Sequence, residues 1–274
     1  MTFLDQILSD VRNELSSTKA RRTAADVRAM LADAPAPRDF HAALEGSFGL
    51  IAEIKERSPS VGPMRAENVA EAPGAYEESP VVRALSVLTN MQYFGMSIER
   101  LTEVRSRVTK PILRKDFMVD EYQVREARAF GADAILLMAN VLDASRLAGF
   151  YDLARELGME ALFEVHTEEE ISKLPRDASI VGINSRKFKS TTGFVGATGS
   201  SSKDFSLSLD TFDLADKLPQ NALHVAESGL SIDNIGLVSE RFDAALIGTS
   251  ILRDPEGARN CLAKFESALN PALS

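Results

Sequence analysis

The chain has 274 residues, 45% of them hydrophobic and 26% charged, with a formal net charge of −9 and 1 cysteine. That length suits one large domain or two small ones, and the composition excludes a disordered chain and a disulfide-built miniprotein. The acidic balance argues against nucleic-acid binding, which needs a basic face, and His41, His166 and His224 are too scattered for a His-rich zinc site.

The N-terminus carries acids early and lacks a basic start before an apolar block, so no secretory leader is expected. Thr2 and Asp5 have the spacing of a capping box, and Leu4, Leu8, Val11 and Leu15 then fall on one helical face. A second helix is predicted over 23–31, closed by Pro35 and Pro37. After that the pattern changes. Short apolar, β-branched runs at 50–54, 84–88, 111–114, 134–138, 161–165, 180–183, 223–226 and 244–247 alternate with helical stretches. Most are apolar on both faces, as parallel strands buried between helices and a core must be. Asp120 and Asp143 are candidate N-caps, and Gly131 and Gly158 candidate helix ends. Asp254-Pro255 reads as an N-cap followed by proline at the first helical position. Beyond it Ala258, Cys261, Leu262, Phe265 and Leu269 share a face, which makes Cys261 a core residue rather than a nucleophile. The most apolar stretch, 132–142, is broken by Asp133 and Asn140 and is too short to span a bilayer. A cytoplasmic protein with no membrane contact is expected.

Eight strand–helix units behind extra helices predict a single α/β domain, a (β/α)8 TIM barrel, over 1–274, with 1–47 as an N-terminal helical extension and 48–274 as the barrel. A doubly wound open sheet is the alternative, but no G-x-G-x-x-G follows the first run. The widest gap between successive runs lies between the sixth and the seventh. It holds a Gly/Ser/Thr-rich stretch at 191–202 that reads as a mobile loop starting on the catalytic rim.

In such barrels the chemistry sits at the C-terminal ends of the strands. Glu53 and Lys55 end the first run two residues apart, on the same face as Ile51, and are expected to point into the mouth. The third run ends in Arg114-Lys115-Asp116, the fifth in Glu164, the sixth in Asn184 and the seventh in Glu227-Ser228. Glu53 lies inside an apolar run, where an unpaired carboxylate is costly, so Lys55 or Lys115 must be near it. A mixed Lys/Glu cluster suits general acid–base work, because each charge tunes its neighbours; a structural ion pair is the plainer reading of either lysine. Gly229 and Gly248 follow the seventh and eighth runs, where barrels hold phosphate on backbone N–H groups. Ser58-Pro-Ser-Val-Gly62, a third Gly/Ser-rich loop, lies beside Lys55.

Together these segments resemble the indole-3-glycerol phosphate synthase family over nearly the whole chain. The stretches that carry the resemblance are Ile51-Ala-Glu-Ile-Lys-Glu-Arg-Ser-Pro-Ser-Val-Gly, Leu85-Ser-Val-Leu-Thr-Asn-Met-Gln-Tyr-Phe, Ile112-Leu-Arg-Lys-Asp-Phe, Gly182-Ile-Asn-Ser-Arg and Val225-Ala-Glu-Ser-Gly. The resemblance implies a (β/α)8 barrel with an N-terminal helical segment. It implies closure of the pyrrole ring of 1-(2-carboxyphenylamino)-1-deoxyribulose 5-phosphate with loss of CO2 and water, without metal or organic cofactor. Under it Lys115 is the general acid at the substrate ketone. Lys55 pairs with the anthranilate carboxylate and serves as acid in the later dehydration. Glu164 is the general base, and Glu53 orients the lysines and the substrate amine. Asn184, Arg186, Glu227 and Ser228 position the substrate. Ser58, Gly229, Gly248 and Thr249 hold the phosphate, and Phe94, Phe117, Leu136 and Met138 wall the anthranilate ring. The chain departs from the family at Met96, where glycine is usual, over 57–82, and in a longer insertion after Arg186.

The expected partner is a small phosphorylated molecule, with no nucleic acid or membrane, bound by a monomer or at most a weak homodimer. Two other functions compete. A barrel isomerase acting on the preceding phosphosugar would need a rim cysteine, and Cys261 lies on the last helix. A non-catalytic or differently specific phosphosugar-binding barrel need not keep both lysines and all three glutamates.

Overall fold

A computed structural model describes residues 2–188 and 205–269. Three helices come first: α1 Phe3–Arg21, α2 Ala24–Asp33 and α3 Phe40–Leu44. The capping box forms, with Asp5 N donating to Thr2 Oγ1 and Thr2 N to the Asp5 carboxylate. Thr23 and Asp26 repeat it at α2. The buried face of α1 runs through Phe3, Ile7, Leu8 and Val11, while Leu4 and Leu15 sit half-buried at its edges. Helix α3 was not legible as a separate element.

The barrel strands are β1 Gly49–Ile54, β2 Val82–Leu88, β3 Ile112–Lys115, β4 Ala134–Met138, β5 Glu160–Val165, β6 Ile180–Asn184, β7 Leu223–Glu227 and β8 Ala244–Ile247. Each pairs in parallel with its neighbours in sequence, and β1 closes the ring on β8 with Gly49 opposite Ala244 and Ala52 opposite Ile247. The doubly wound alternative is thereby excluded.

Alternation along the strands sorts the apolar side chains into two cores. Ile51, Leu113, Leu136, Leu162, Ile180, Val225 and Leu246 fill the barrel interior. Leu50, Ala52, Ile54, Leu85, Ile135, Phe163, Val181 and Ile247 face the surrounding helices. Helix α3 ends five residues before β1 begins, and its Phe40 and Leu44 close the interior from that end. Helix α1 belongs to the interior core at the opposite end, with Phe117, Val119 and Met138. It is tied there by Tyr93 Oη donating to Asp10 at 2.5 Å and by Lys19 pairing with Asp120 at 2.8 Å.

Asp133, the acid that interrupts the apolar stretch, is 1% exposed and fully engaged. It accepts from Arg105 Nη1, Arg38 N and Ile112 N, all at 2.7 Å, and so joins the N-terminal extension to the barrel wall. Asp120 and Asp143 cap α4 Glu121–Ala129 and α5 Ala144–Glu156 as expected. The expectation at Asp254 fails: α6 spans Ala258–Leu269 and begins after Gly257. Residues 254–257 form a turn instead, in which Glu256 N donates to Asp254 Oδ1 and Gly257 adopts φ +97°. Cys261 is buried, as predicted. The insertion after β6 opens as an antiparallel ribbon pairing Arg186–Phe188 with Phe205–Leu207. The stretch read as a mobile loop, 191–202, lies outside the described residues.

Candidate active site

The same alternation that builds the interior core aims the polar strand ends. Glu53 and Lys55 continue the parity of Ile51, Lys115 that of Leu113, Glu164 that of Leu162, Asn184 that of Ile180 and Glu227 that of Val225. All six therefore turn inward at the C-terminal end. Arg114 has the opposite parity and leaves the site. Its guanidinium lies among Thr89, Gln123, Glu126 and Asp116 behind the barrel wall. Asp116 also departs from the rim-cluster expectation: it borders the mouth, but its carboxylate is held by Arg114, Thr89 and Phe117 N.

The mouth holds a cavity of about 330 Å³. It is lined by Glu53, Lys55, Ser58, Phe94, Lys115, Phe117, Leu136, Met138, Glu164, Asn184, Arg186, Ser228, Gly229, Gly248 and Thr249. Glu227 is fully buried and lies beneath Lys115 rather than on the wall. Lys115 Nζ sits 3.3 Å from Glu227 Oε2, 3.6 Å from Glu53 Oε2 and 3.9 Å from Glu164 Oε2. Lys55 Nζ donates to Glu53 Oε1. Among the described residues neither oxygen of Glu227 accepts a hydrogen bond, nor does Glu164 Oε1.

These contacts set the protonation pattern. Burial opposes the charge on Lys115, but Glu227, Glu53 and Glu164 together outweigh it and hold the ammonium well above the usual lysine range. Burial acts on Lys55 too; with Glu53 as its only close carboxylate and two other cations nearby, its proton is held less tightly than usual. Glu53 is kept below the ordinary carboxylate range despite its burial, because Lys55 and Lys115 flank it. Glu227 goes the other way: burial, with Glu164 and Glu53 nearby, pushes it up to about 8 in spite of Lys115. The cluster thus pairs ionised Glu53 with a protonated Glu227 at neutral pH.

One side of the cavity is apolar. The Phe94 and Phe117 rings stack with centroids 6.4 Å apart, next to Leu136 and Met138. The opposite side is polar. Arg186 Nη1 donates to Ser60 Oγ at 2.8 Å, and Ser60 lies 3.0 Å from Ser58 Oγ. Ser228 and Gly229 have φ of 70° and 71°. The carbonyls of Ser228, Gly229 and Leu230 are each taken by a side-chain donor, from Ser185, Asn234 and Ser250. Gly248 has a role beyond ligand approach: a Cβ there would meet Glu53 Oε1 at 2.7 Å.

A family model, indole-3-glycerol phosphate synthase, matches residues 4–262. The chain belongs to the indole-3-glycerol phosphate synthase family. Relatives of that name include one from a Nocardioides species, 40% identical over 97% of this chain and 100% of its own length. Another, from Mycobacterium leprae, is 38% identical over 94% of this chain and 92% of its own. Solved structures with the same fold are more distant. KGPDC from Streptococcus mutans is 12% identical with a TM-score of 0.58, covering 84% of this chain and 100% of that one. Thiamine phosphate pyrophosphorylase from Pyrococcus furiosus is 14% identical with a TM-score of 0.57, covering 86% and 100%.

As an indole-3-glycerol phosphate synthase, the protein is a carboxy-lyase of tryptophan biosynthesis that closes the indole ring with loss of CO2 and water. Its departures from the family pattern have a local account at Met96, which is 2% exposed in the outer core, while the adjacent Gly95 supplies the left-handed turn at φ +78°. The sequence reading missed Ile7, which reaches the cavity from α1, and Ser60, which anchors Arg186. Period alone could have found Ile7, since it falls three and four residues from Leu4 and Val11. The loop at 58–62 stood out in the sequence, but nothing local marked Ser60 within it as the partner of Arg186. No helix among the described residues is long and apolar enough to cross a membrane.

Proposed function

We propose that the indole-3-glycerol phosphate synthase reaction is run by the Lys/Glu cluster, with the anthranilate ring on the phenylalanine wall and the phosphate at the opposite rim. The observation that carries this reading is Lys115, a cation shared by three glutamates at the end of an apolar wall. Lys55 pairs with the anthranilate carboxylate and sets the ring. Asn184, Arg186 and Ser228 hold the ribulose chain. Ser58 and the backbone N–H groups of Gly229, Gly248 and Thr249 take the phosphate.

Ring closure joins the aromatic carbon that bears the carboxylate to the ketone carbon. The carbonyl oxygen gains negative charge as the bond forms, and Lys115 stabilises that charge and delivers a proton to it. A tightly held proton is no obstacle here, because the acceptor is a strongly basic alkoxide. The carbon–carboxylate bond then breaks, its electrons restore the aromatic ring, and CO2 leaves. That frees Lys55. The departing hydroxyl of the dehydration is a weak base and needs a readier donor, which suits the loosened proton of Lys55. Glu164 removes the proton from the neighbouring carbon as water leaves. The whole sequence consumes one proton, returned to the lysines from solvent.

The test separates the two steps. Incubation of the wild type with the anthranilate-ribulose phosphate releases CO2 and develops indole fluorescence together. Lys115→Met releases neither. Lys55→Met, at substrate concentrations that overcome weaker binding, releases CO2 ahead of indole. Simultaneous loss of both products in the Lys55 variant at saturation overturns the division of roles.

A further inference from the structure

Just past β5 lies a buried histidine that the mechanism above leaves unused. His166 is 5% exposed and does not line the cavity. Its ring lies between two carboxylates. Nδ1 is 3.2 Å from Glu170 Oε2, and the same oxygen accepts the His166 backbone N–H at 2.7 Å. Nε2 is 3.5 Å from Glu164 Oε1. Among the described residues neither Nε2 nor Glu164 Oε1 has a hydrogen-bond partner, so two buried polar atoms face each other.

The tautomer follows from these contacts. Glu170 Oε2 accepts from the backbone and so takes a proton from Nδ1 as well. A lone pair left on Nε2 would then face the Glu164 carboxylate, which is repulsive. A proton on Nε2 turns the contact into a charge-assisted one. Glu164 therefore hangs between two cations, with Oε2 toward Lys115 at 3.9 Å and Oε1 toward His166.

We propose that His166 is a positioning residue which, as an imidazolium anchored by Glu170, holds the Glu164 carboxylate aimed for proton abstraction. The inference rests on the assignment of Glu164 as base. The charged groups around the imidazole agree with it: burial disfavours its charge, but Glu170, Glu164 and Glu227 outweigh burial and lift it above the usual histidine range. Lys173, beside Glu170, helps keep that anchor ionised.

The experiment compares Glu164→Gln, His166→Gln and Glu170→Gln by kcat and KM across pH 5–9, with melting curves for each. His166→Gln keeps a hydrogen-bond donor but loses the charge. The expected result is a kcat lowered about tenfold near pH 6 with KM within about twofold, because the residue is off the cavity wall, and an acidic limb moved to higher pH. Glu170→Gln loosens the proton of His166 and draws in an alkaline limb at lower pH. A wild-type kcat profile in both variants, with Glu164→Gln inactive, overturns the role of His166. Wild-type turnover in Glu164→Gln overturns the base assignment itself. If His166→Gln does not fold, Glu170→Gln carries the test alone, since its change lies outside the barrel mouth.

Discussion

Two buried charge networks lie one residue apart on β3 and end in opposite ways. Around Arg114, every guanidinium nitrogen has a partner: Nε donates to Thr89 Oγ1 at 3.0 Å, Nη1 to Gln123 O and Glu126 Oε2, and Nη2 to Asp116 Oδ2 at 3.0 Å. Around Lys115, three glutamates share one ammonium at 3.3 Å to 3.9 Å, and three of their oxygens are left without hydrogen bonds. Both set one basic side chain among buried carboxylates, with Arg114 4% exposed and Lys115 14%. The first network is finished and holds two walls together. The second is under-bonded, with donors and acceptors waiting for a molecule the chain does not contain. Incompleteness, more than charge or burial, distinguishes the site from the scaffold.

The sharpest way to break this contrast is Lys115→Met. It should cut turnover by about 10²–10⁴-fold, the usual share of a positioned proton donor, while the melting curve changes little. A loss under about tenfold, or 1.4 kcal/mol in barrier, would leave the ammonium a structural counterion. The mirror experiment is Arg114→Met. Removing the cation leaves Asp116 without an ion-pair partner in the interior and Glu126 with Arg22 alone, so stability should fall by about 3 kcal/mol, measured by urea unfolding. The kcat of the folded fraction should fall by less than about tenfold. If Arg114→Met spared stability and abolished turnover, the two networks would have exchanged roles.

A subtler change tests the space under the cluster. A Cβ on Gly182 would come within 2.2 Å of Glu227 Oε1. Gly182→Ala must therefore displace Glu227 from beneath Lys115, and turnover should fall about ten- to a hundredfold, or 1.4–2.7 kcal/mol. Steady-state kinetics beside a melting curve would show whether the loss is catalytic. The smallest expected effect is a slope. Glu227 titrates near 8 in the folded protein against 4.5 for an ordinary glutamate. The folded state thus carries the extra proton between those values, and stability falls as pH rises through that window. Glu227→Gln has no such proton to lose. Its melting temperature should gain on the wild type from about pH 4.5 to about pH 8 and keep a constant lead above that. A constant difference from pH 5 to pH 9 would mean that Glu227 ionises normally.

The contrast also explains what could be read from the sequence. Short apolar, β-branched runs placed the eight strands to within two residues at either end, and strand parity sends Glu53, Lys55, Lys115 and Glu164 inward. Parity equally sends Arg114 outward, so grouping it with Lys115 by adjacency was the error. Glu227 was expected to position the substrate, but it lies below the wall, against Gly182 and Lys115. Helix α3 is a single turn of five residues, too short for the Phe40/Leu44 spacing to establish a helical period. The start of α6 moved because Gly257 adopts φ +97°, which ends a helical path that Asp254 and Pro255 would otherwise have opened. The loop that holds Ser60 stood out in the sequence, but its bond to Arg186, far along the chain, shows only in the fold.

Helix α1 has a consequence for how the molecule comes into being. It is synthesised before any barrel strand, yet its anchors Tyr93 and Asp120 come much later in the chain. The cluster it roofs needs Glu53 from the first strand and Glu227 from the seventh, and the ring closes only when Ala244 reaches Gly49. At about 5–20 residues per second of synthesis, the first glutamate of the cluster waits on the order of ten seconds for the last. Contacts this distant along the chain make folding slow. Catalytic competence therefore arrives in one step, with the last strand, and no fragment that stops short of β8 can rehearse it.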